Sequence, residues 1–138
     1  MADTFVVEDS GKRKHFASGM MRDTAEGKTD FEKIYTGPML ERYCVHLTKA
    51  EVKYPDIAPG VPNFSLATGI EEYVRGKKSL ARHHYQLQKG MKNEDHAASV
   101  WFNVQLMEIA REALDAIDPQ ICINIDKQKV YTSPAMVQ

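Results

Sequence analysis

Asn93-Glu94-Asp95-His96 is the densest run of side chains able to do acid–base or metal chemistry in this sequence, and Asn103 follows His96 by seven residues. On a helix that turns about 100° per residue, His96, Val100, Asn103 and Met107 fall almost in line. An imidazole and an amide then project together from an otherwise apolar stripe, and each needs a partner once it is desolvated. Glu94 and Asp95 also have a plainer explanation, because acids answer the positive end of a helix dipole and Asn93 is a good cap.

A second cluster, Arg82-His83-His84, precedes the first by about ten residues. Leu80, Leu87 and one of the two histidines share a helical face. Antiparallel packing across the short connection at residues 89–92 brings that histidine toward the side holding Glu94 and Asn103. Histidine and carboxylate on facing helices hold divalent ions in bundles, with oxygen-rich sets favouring Mg2+ or Mn2+ and nitrogen favouring softer metals. A purely structural bond from His83 or His84 to a carboxylate is the plainer alternative. Neither HExxH nor a His-Asp dipeptide occurs, which excludes a standard metalloprotease and weakens the hydrolase signature built on a His-Asp pair.

A third group comprises Glu41, Glu51, Lys53 and Tyr54, at the two ends of one predicted helix, with Asn63-Phe64 closing the loop after it. Glu41 can serve the dipole, and Glu51 and Lys53 can be solvated surface. Asn63 beside an aromatic ring suits a base or sugar contact and equally an ordinary plug. Arg22-Asp23 and Gly27-Lys28 offer donors for an anion, but the spacing is not the GxxxxGK[ST] phosphate loop.

The elements that must position these residues are helical. Gly37-Pro38 follows Thr36, a possible cap, and Leu40, Tyr43, Cys44 and Leu47 make one stripe that ends before Pro55. Residues 55–63 hold three prolines and a glycine, which excludes regular helix or an interior strand. Two short helices are expected over 65–74 and 79–87, separated by the basic turn Arg75-Gly76-Lys77-Lys78 and ended at Gly90. Asn93 is expected to cap a long helix over about 94–116, with Ala97, Val100, Trp101, Val104, Met107 and Leu114 as its apolar face and Asp118-Pro119 closing it. Residues 121–125 alternate and are branched, which fits an edge strand or a segment packed across the bundle. The expected fold is all-α, a small helical bundle with an irregular N-terminal arm over 1–36, a helical catalytic domain over 37–118 and a short extended C-terminal tail over 119–138.

Composition is consistent with one domain. The 138 residues are 43% apolar and 27% charged, with 18 basic and 19 acidic side chains and a net charge of −1. That balance argues against a polyanion binder relying on a net positive field, and no stable nucleic-acid partner is expected. Cys44 and Cys122 sit in no CxxC or Cys/His spacing, so neither a disulfide framework nor a zinc finger is indicated. No apolar run approaches the roughly 20 residues a membrane span needs, and the N-terminus lacks a signal-peptide pattern, so a cytoplasmic protein is expected. The wide apolar face of the long helix favours a homo-oligomer.

In order and spacing, RDTAEGKTDFEKIYTGPMLERY, KAEVKYP, a loop ending NF, SLARHHYQLQKG and NEDHAASVWFN resemble the phage family of dATP/dGTP diphosphohydrolases. That family is associated with genomes that replace adenine by 2-aminoadenine and is functionally akin to MazG-type pyrophosphatases. The resemblance covers about residues 16–108. Arg22-Asp23, Gly27-Lys28, Lys53-Tyr54, Asn63, Arg82-His83, Glu94-Asp95-His96 and Asn103 match its motifs. Three positions depart: Pro55 stands for the usual glycine, Phe64 for tryptophan, and Gly90-Met91 for Gly-Glu.

The resemblance implies hydrolysis of a purine deoxynucleoside triphosphate, dGTP or dATP, to monophosphate and pyrophosphate, supplying dGMP for 2-aminoadenine nucleotide synthesis in the host cytoplasm. It implies Mg2+ or Mn2+ held by Glu94 and Asp95, with Glu41 as an additional ligand and His83 or His96 as a ligand or water-orienting group. Lys53, Arg82, Arg22 and Lys28 would meet phosphate oxygens, and Tyr54, Asn63 and Asn103 the base or sugar. A nucleotide-binding sensor that has lost catalysis, and a His-Asp-type dNTP phosphohydrolase, are the alternatives.

Overall fold

The computed structural model describes residues 5–131, which divide after Ile34 into two compact units. In the first, β1 (Arg13–His15) pairs antiparallel with β2 (Met21–Asp23), with Arg13 opposite Asp23. Gly19 closes the turn between them at a φ of 92°, a left-handed value that favours glycine. Asp23 organises this unit, accepting from the Ser10 hydroxyl and pairing with Arg13 at 3.6 Å and Lys28 at 3.5 Å. The sequence pattern shows only an irregular arm here, because strands of three residues are too short to show a period of two.

The second unit is a helical bundle: α1 (Met39–Lys53), α2 (Ile70–Gln88), α3 (His96–Asp115) and α4 (Gln120–Tyr131), with a 3-10 turn at Asn63–Leu66. Pro38 precedes α1, in place of the expected Thr36 cap, and Cys44 is exposed on it. The two short helices expected over 65–74 and 79–87 are one helix. Gly76 does not break it; the residue is buried where α2 crosses α3, and a β-carbon there would lie 2.9 Å from both Leu106 Cδ2 and Met107 Cγ. Close backbone approach, rather than a turn, is what the glycine provides. At the start of α2 the Glu72 carboxylate accepts from the Gly69 N–H at 2.7 Å.

The segment at 119–138, expected as an extended tail, begins α4 just after Pro119. Its burial follows a helical period: Cys122 is 1% exposed, Ile121 and Ile125 pack on the core, and Ile123, which a strand would align with them, is 41% exposed. Residues 132–138 lie outside the described part.

The core joins Tyr73 of α2, Met107, Ala110 and Leu114 of α3, and Cys122 of α4. The buried Tyr73 hydroxyl accepts from Arg111 Nη2 at 3.0 Å and donates to the Asp126 carboxylate at 3.1 Å, which Lys77 Nζ also reaches at 2.7 Å. Burial, joined by the Asp126 hydrogen bond, pushes the Tyr73 phenol up to about 12. Among the described residues no helix is long and apolar enough to cross a membrane.

Candidate metal centre and adjoining cavity

The buried face of α3 is polar at its N-terminal end, where His96, Ser99 and Asn103 succeed one another before Met107, Ala110 and Leu114. Trp101 and Val104, expected on the apolar face, are 39% and 45% exposed. The stripe toward α2 runs through positions three and four apart, so the two rows beside it turn outward.

The cap of α3 is Asp95 rather than Asn93. Its carboxylate accepts from the Ala98 N–H at 3.1 Å and from Arg42 of α1 twice, at 2.9 Å from Nε and 2.6 Å from Nη2. The Arg42 bonds hold the Asp95 carboxyl at about 2, against the opposing effect of burial and with help from the Ala98 N–H. A carboxyl depressed in the fold contributes stability above its unfolded value of 3.8, and that contribution is lost as pH falls through the folded value. We expect Arg42→Ala to lower stability at pH 6. In urea titrations at successive pH values the gap to the parent should close between about pH 4 and pH 2; a gap that persists at the acid end would contradict this.

Freed from capping, Asn93 turns to the site, its Oδ1 lying 2.9 Å from His96 Nε2. A carbonyl oxygen can only accept, so Nε2 carries the ring proton and a neutral His96 has its lone pair on Nδ1. That Nδ1 lies 3.0 Å from Nδ1 of His83 on α2, the two rings 5.3 Å apart. His83 is therefore the donor in this bond. Burial lowers the His83 pKa, with Arg82, His96 and His46 adding to that effect and Glu94 opposing it, so a neutral ring is favoured. Glu94 completes the group: one donor atom from each of His83, Glu94 and His96 lies within 4.8 Å of the others, with His96 buried and Glu94 exposed.

Of the expected ligands, the structure thus brings together Glu94, His83 and His96. Asp95 is committed to the cap and to Arg42, and Glu41 lies outside the group. His84 is exposed on α2, near Gln88, and is not in the group.

Further along the same two helices lies a cavity of about 820 Å³, bounded by the 3-10 turn, α2 and the middle of α3. Tyr54, Asn63, Phe64 and Asn103 line it, as do Arg75 and Lys78. Asn103 donates through Nδ2 to the Ser99 carbonyl at 2.9 Å, which leaves its Oδ1 as an acceptor. Phe64 and Phe102 meet edge to face with centroids 5.4 Å apart and also border a neighbouring cavity of about 320 Å³ that Glu51 lines. His83 is one turn beyond Ser79 of the cavity wall, and His96 is about 10 Å along α3 from Asn103.

Lys53 and Arg82 do not line this cavity; Lys53 Nζ sits 5.2 Å from the Tyr54 ring centroid, and Arg82 is exposed beside His83. Arg22 and Lys28 belong to the N-terminal unit, Arg22 exposed opposite Lys14 and Lys28 paired with Asp23. The sequence reading missed Phe102 and His46 as neighbours of the site; their rings are 5.9 Å apart. It took Arg75 and Lys78 for turn residues, though a 3.6 period carried through Gly76 would have put them on the wall. His46 gave no signal, being a lone histidine on an ordinary helix. Compared with known protein families, curated proteins and solved structures, the chain matches none.

Proposed function

We propose that this chain is a metal-dependent hydrolase of purine deoxynucleoside triphosphates, dGTP and dATP, releasing monophosphate and pyrophosphate. In the phage setting that the family resemblance implies, it would supply dGMP for 2-aminoadenine nucleotide synthesis. The observation that carries this reading is that one helix pair, α2 and α3, holds a His83–Glu94–His96 ligand group and, about 10 Å away, a cavity with aromatic, amide and cationic walls. A nucleotide needs both kinds of surface.

When bound, a divalent ion neutralises phosphate charge and polarises the attacking water. His83, Glu94 and His96 would hold it, and Asn93 fixes the His96 ring. Tyr54, Asn63 and Asn103 meet the base and sugar, Phe64 and Phe102 supply apolar surface, and Arg75 and Lys78 meet phosphate oxygens. Water oxygen bonds to the α-phosphorus, the bond from that phosphorus to the α,β-bridging oxygen breaks, pyrophosphate leaves with the electron pair, and the water proton passes to solvent. Arg22 and Lys28 lie in the other unit, and the reading does not depend on them. Self-association is part of the proposal, since Trp101 and Val104 remain open on α3.

The expected result is monophosphate and pyrophosphate from dGTP and dATP when purified protein is incubated with each dNTP and Mn2+ and the products are resolved by chromatography. No monophosphate from either purine triphosphate would overturn the proposal. Nucleotide bound without turnover would select the catalytically silent sensor, which the single carboxylate in the ligand group and the Gly90-Met91 departure favour.

A further inference from the structure

We infer that the His83–Glu94–His96 group is a site for a six-coordinate first-row transition ion, of the Mn2+ or Co2+ kind, bound through the Nδ1 atoms of both imidazoles in preference to Mg2+. The inference rests on the hydrolysis reading for its place in the chemistry, and its test needs no turnover.

The ligand spacing is the first argument. Two imidazole nitrogens each about 2.1 Å from an ion are about 3.0 Å apart when they subtend a right angle, and about 3.4 Å apart at the tetrahedral angle. The Nδ1 to Nδ1 distance is 3.0 Å, held by the N–H···N bond between the rings, so an ion that replaces that proton can take both nitrogens at about a right angle without the rings moving apart. Ring orientation is the second. Asn93 Oδ1 holds the Nε2 proton of His96 and so presents Nδ1 as the donor atom, the arrangement by which an outer carbonyl fixes a metal-binding histidine. His83 reaches the same state by moving its proton from Nδ1 to Nε2, with no change in net charge.

Donor chemistry is the third. Mg2+ is a hard ion that takes oxygen ligands and gives up water reluctantly, whereas imidazole suits transition ions, with affinity rising from Mn2+ through Co2+ to Ni2+. The carboxylate-rich set that would suit Mg2+ is not assembled: both Asp95 oxygens are taken by Arg42 and the Ala98 N–H, and Glu41 is outside the group. Three protein donors leave three positions of a six-coordinate ion for oxygen ligands, on the side where Glu94 is exposed. Any Mg2+ in the reaction would then arrive on the triphosphate.

Calorimetric titration of the full chain with Co2+, Mn2+ and Mg2+ separately tests this. One equivalent of Co2+ should bind at least a hundredfold more tightly than Mg2+, with Mn2+ between them. The Co2+ form should show the weak visible absorption of six-coordination rather than the intense bands of a tetrahedral ion. His83→Ala and the exposed-site variant Glu94→Gln should each lose binding, Asn93→Ala should weaken it about 10–100-fold, Asp95→Asn, which loosens the cap without removing a ligand, should weaken it less than Glu94→Gln does, and Glu41→Gln should leave it unchanged. Circular dichroism checks that each variant is folded, and Glu94→Gln serves if His83→Ala is not. Mg2+ affinity within tenfold of Co2+, intense tetrahedral bands, or binding that survives Glu94→Gln but is lost in Asp95→Asn would overturn the inference. Selective Co2+ binding in a protein that turns over no purine triphosphate would leave the inference standing and remove the hydrolysis reading. Hydrolysis on Mg2+ alone that survives Glu94→Gln would do the reverse.

Discussion

If the chain hydrolyses dGTP as proposed, Glu94→Gln should lower turnover by at least about a hundredfold at saturating Mn2+, while the melting curve stays within about 0.5 kcal/mol of the parent. The separation of the two effects follows from where the side chain sits. Glu94 is exposed, lies one residue before the cap of α3 and two before its first residue, so its charge contributes little to folding. It is also the one carboxylate of the ligand group, and an amide there keeps the shape while removing the charge. Steady-state kinetics beside thermal melts checks the pair; a variant with full turnover would show that the metal acting on substrate is held elsewhere.

Tyr73→Ala should destabilise the helical unit by about 3–5 kcal/mol, since a fully buried aromatic ring leaves a cavity among α2, α3 and α4. Tyr73→Phe keeps the ring and removes only the hydroxyl, which takes the acceptor from Arg111 Nη2, while Nε keeps Glu108, and one donor from Asp126; about 1–3 kcal/mol is expected. Urea unfolding of both, with Asp126→Asn and the double variant, separates ring packing from the polar network. If Tyr73→Phe matches the parent, the hydroxyl contributes nothing net. The parent also carries an alkaline signature: a phenol raised to about 12 in the fold adds stability that is complete below its ordinary value of 10.0 and lost as pH rises through the folded value. Tyr73→Phe removes that dependence.

How much of this is legible in the sequence depends on how local each signal is. The existence of α1 and α3 follows from Gly37-Pro38, Pro55, the polar run before His96 and a 3.6 period. The inward placement of His96 and Asn103 follows from their spacing alone. The single helix α2 was hidden because Gly76 reads as punctuation, while its reason, contact with Leu106 and Met107, is thirty residues away. In α4 the alternation at 121–125 suited a strand, and what decides is the core patch made by Tyr73, Leu114 and their neighbours. The site divides in the same way. Glu94 and the two histidines stand out as residue types, but nothing near Asp95 announces that Arg42, 53 positions earlier, claims its carboxylate. The choice of His83 over His84 likewise depends on the crossing of two helices.

The cap of α3 falls between two of the three residues of the proposed ligand group, with Glu94 before Asp95 and His96 after it. Their separation is therefore set by whether the opening coil of that helix is wound. Fraying there would pull the carboxylate away from the imidazoles, and an occupied centre would in turn stitch the coil shut. Arg42, gripping Asp95 from α1, works as a distant tensioner on this seam. Loosening it should leave every ligand in the chain and still soften the grip on the ion.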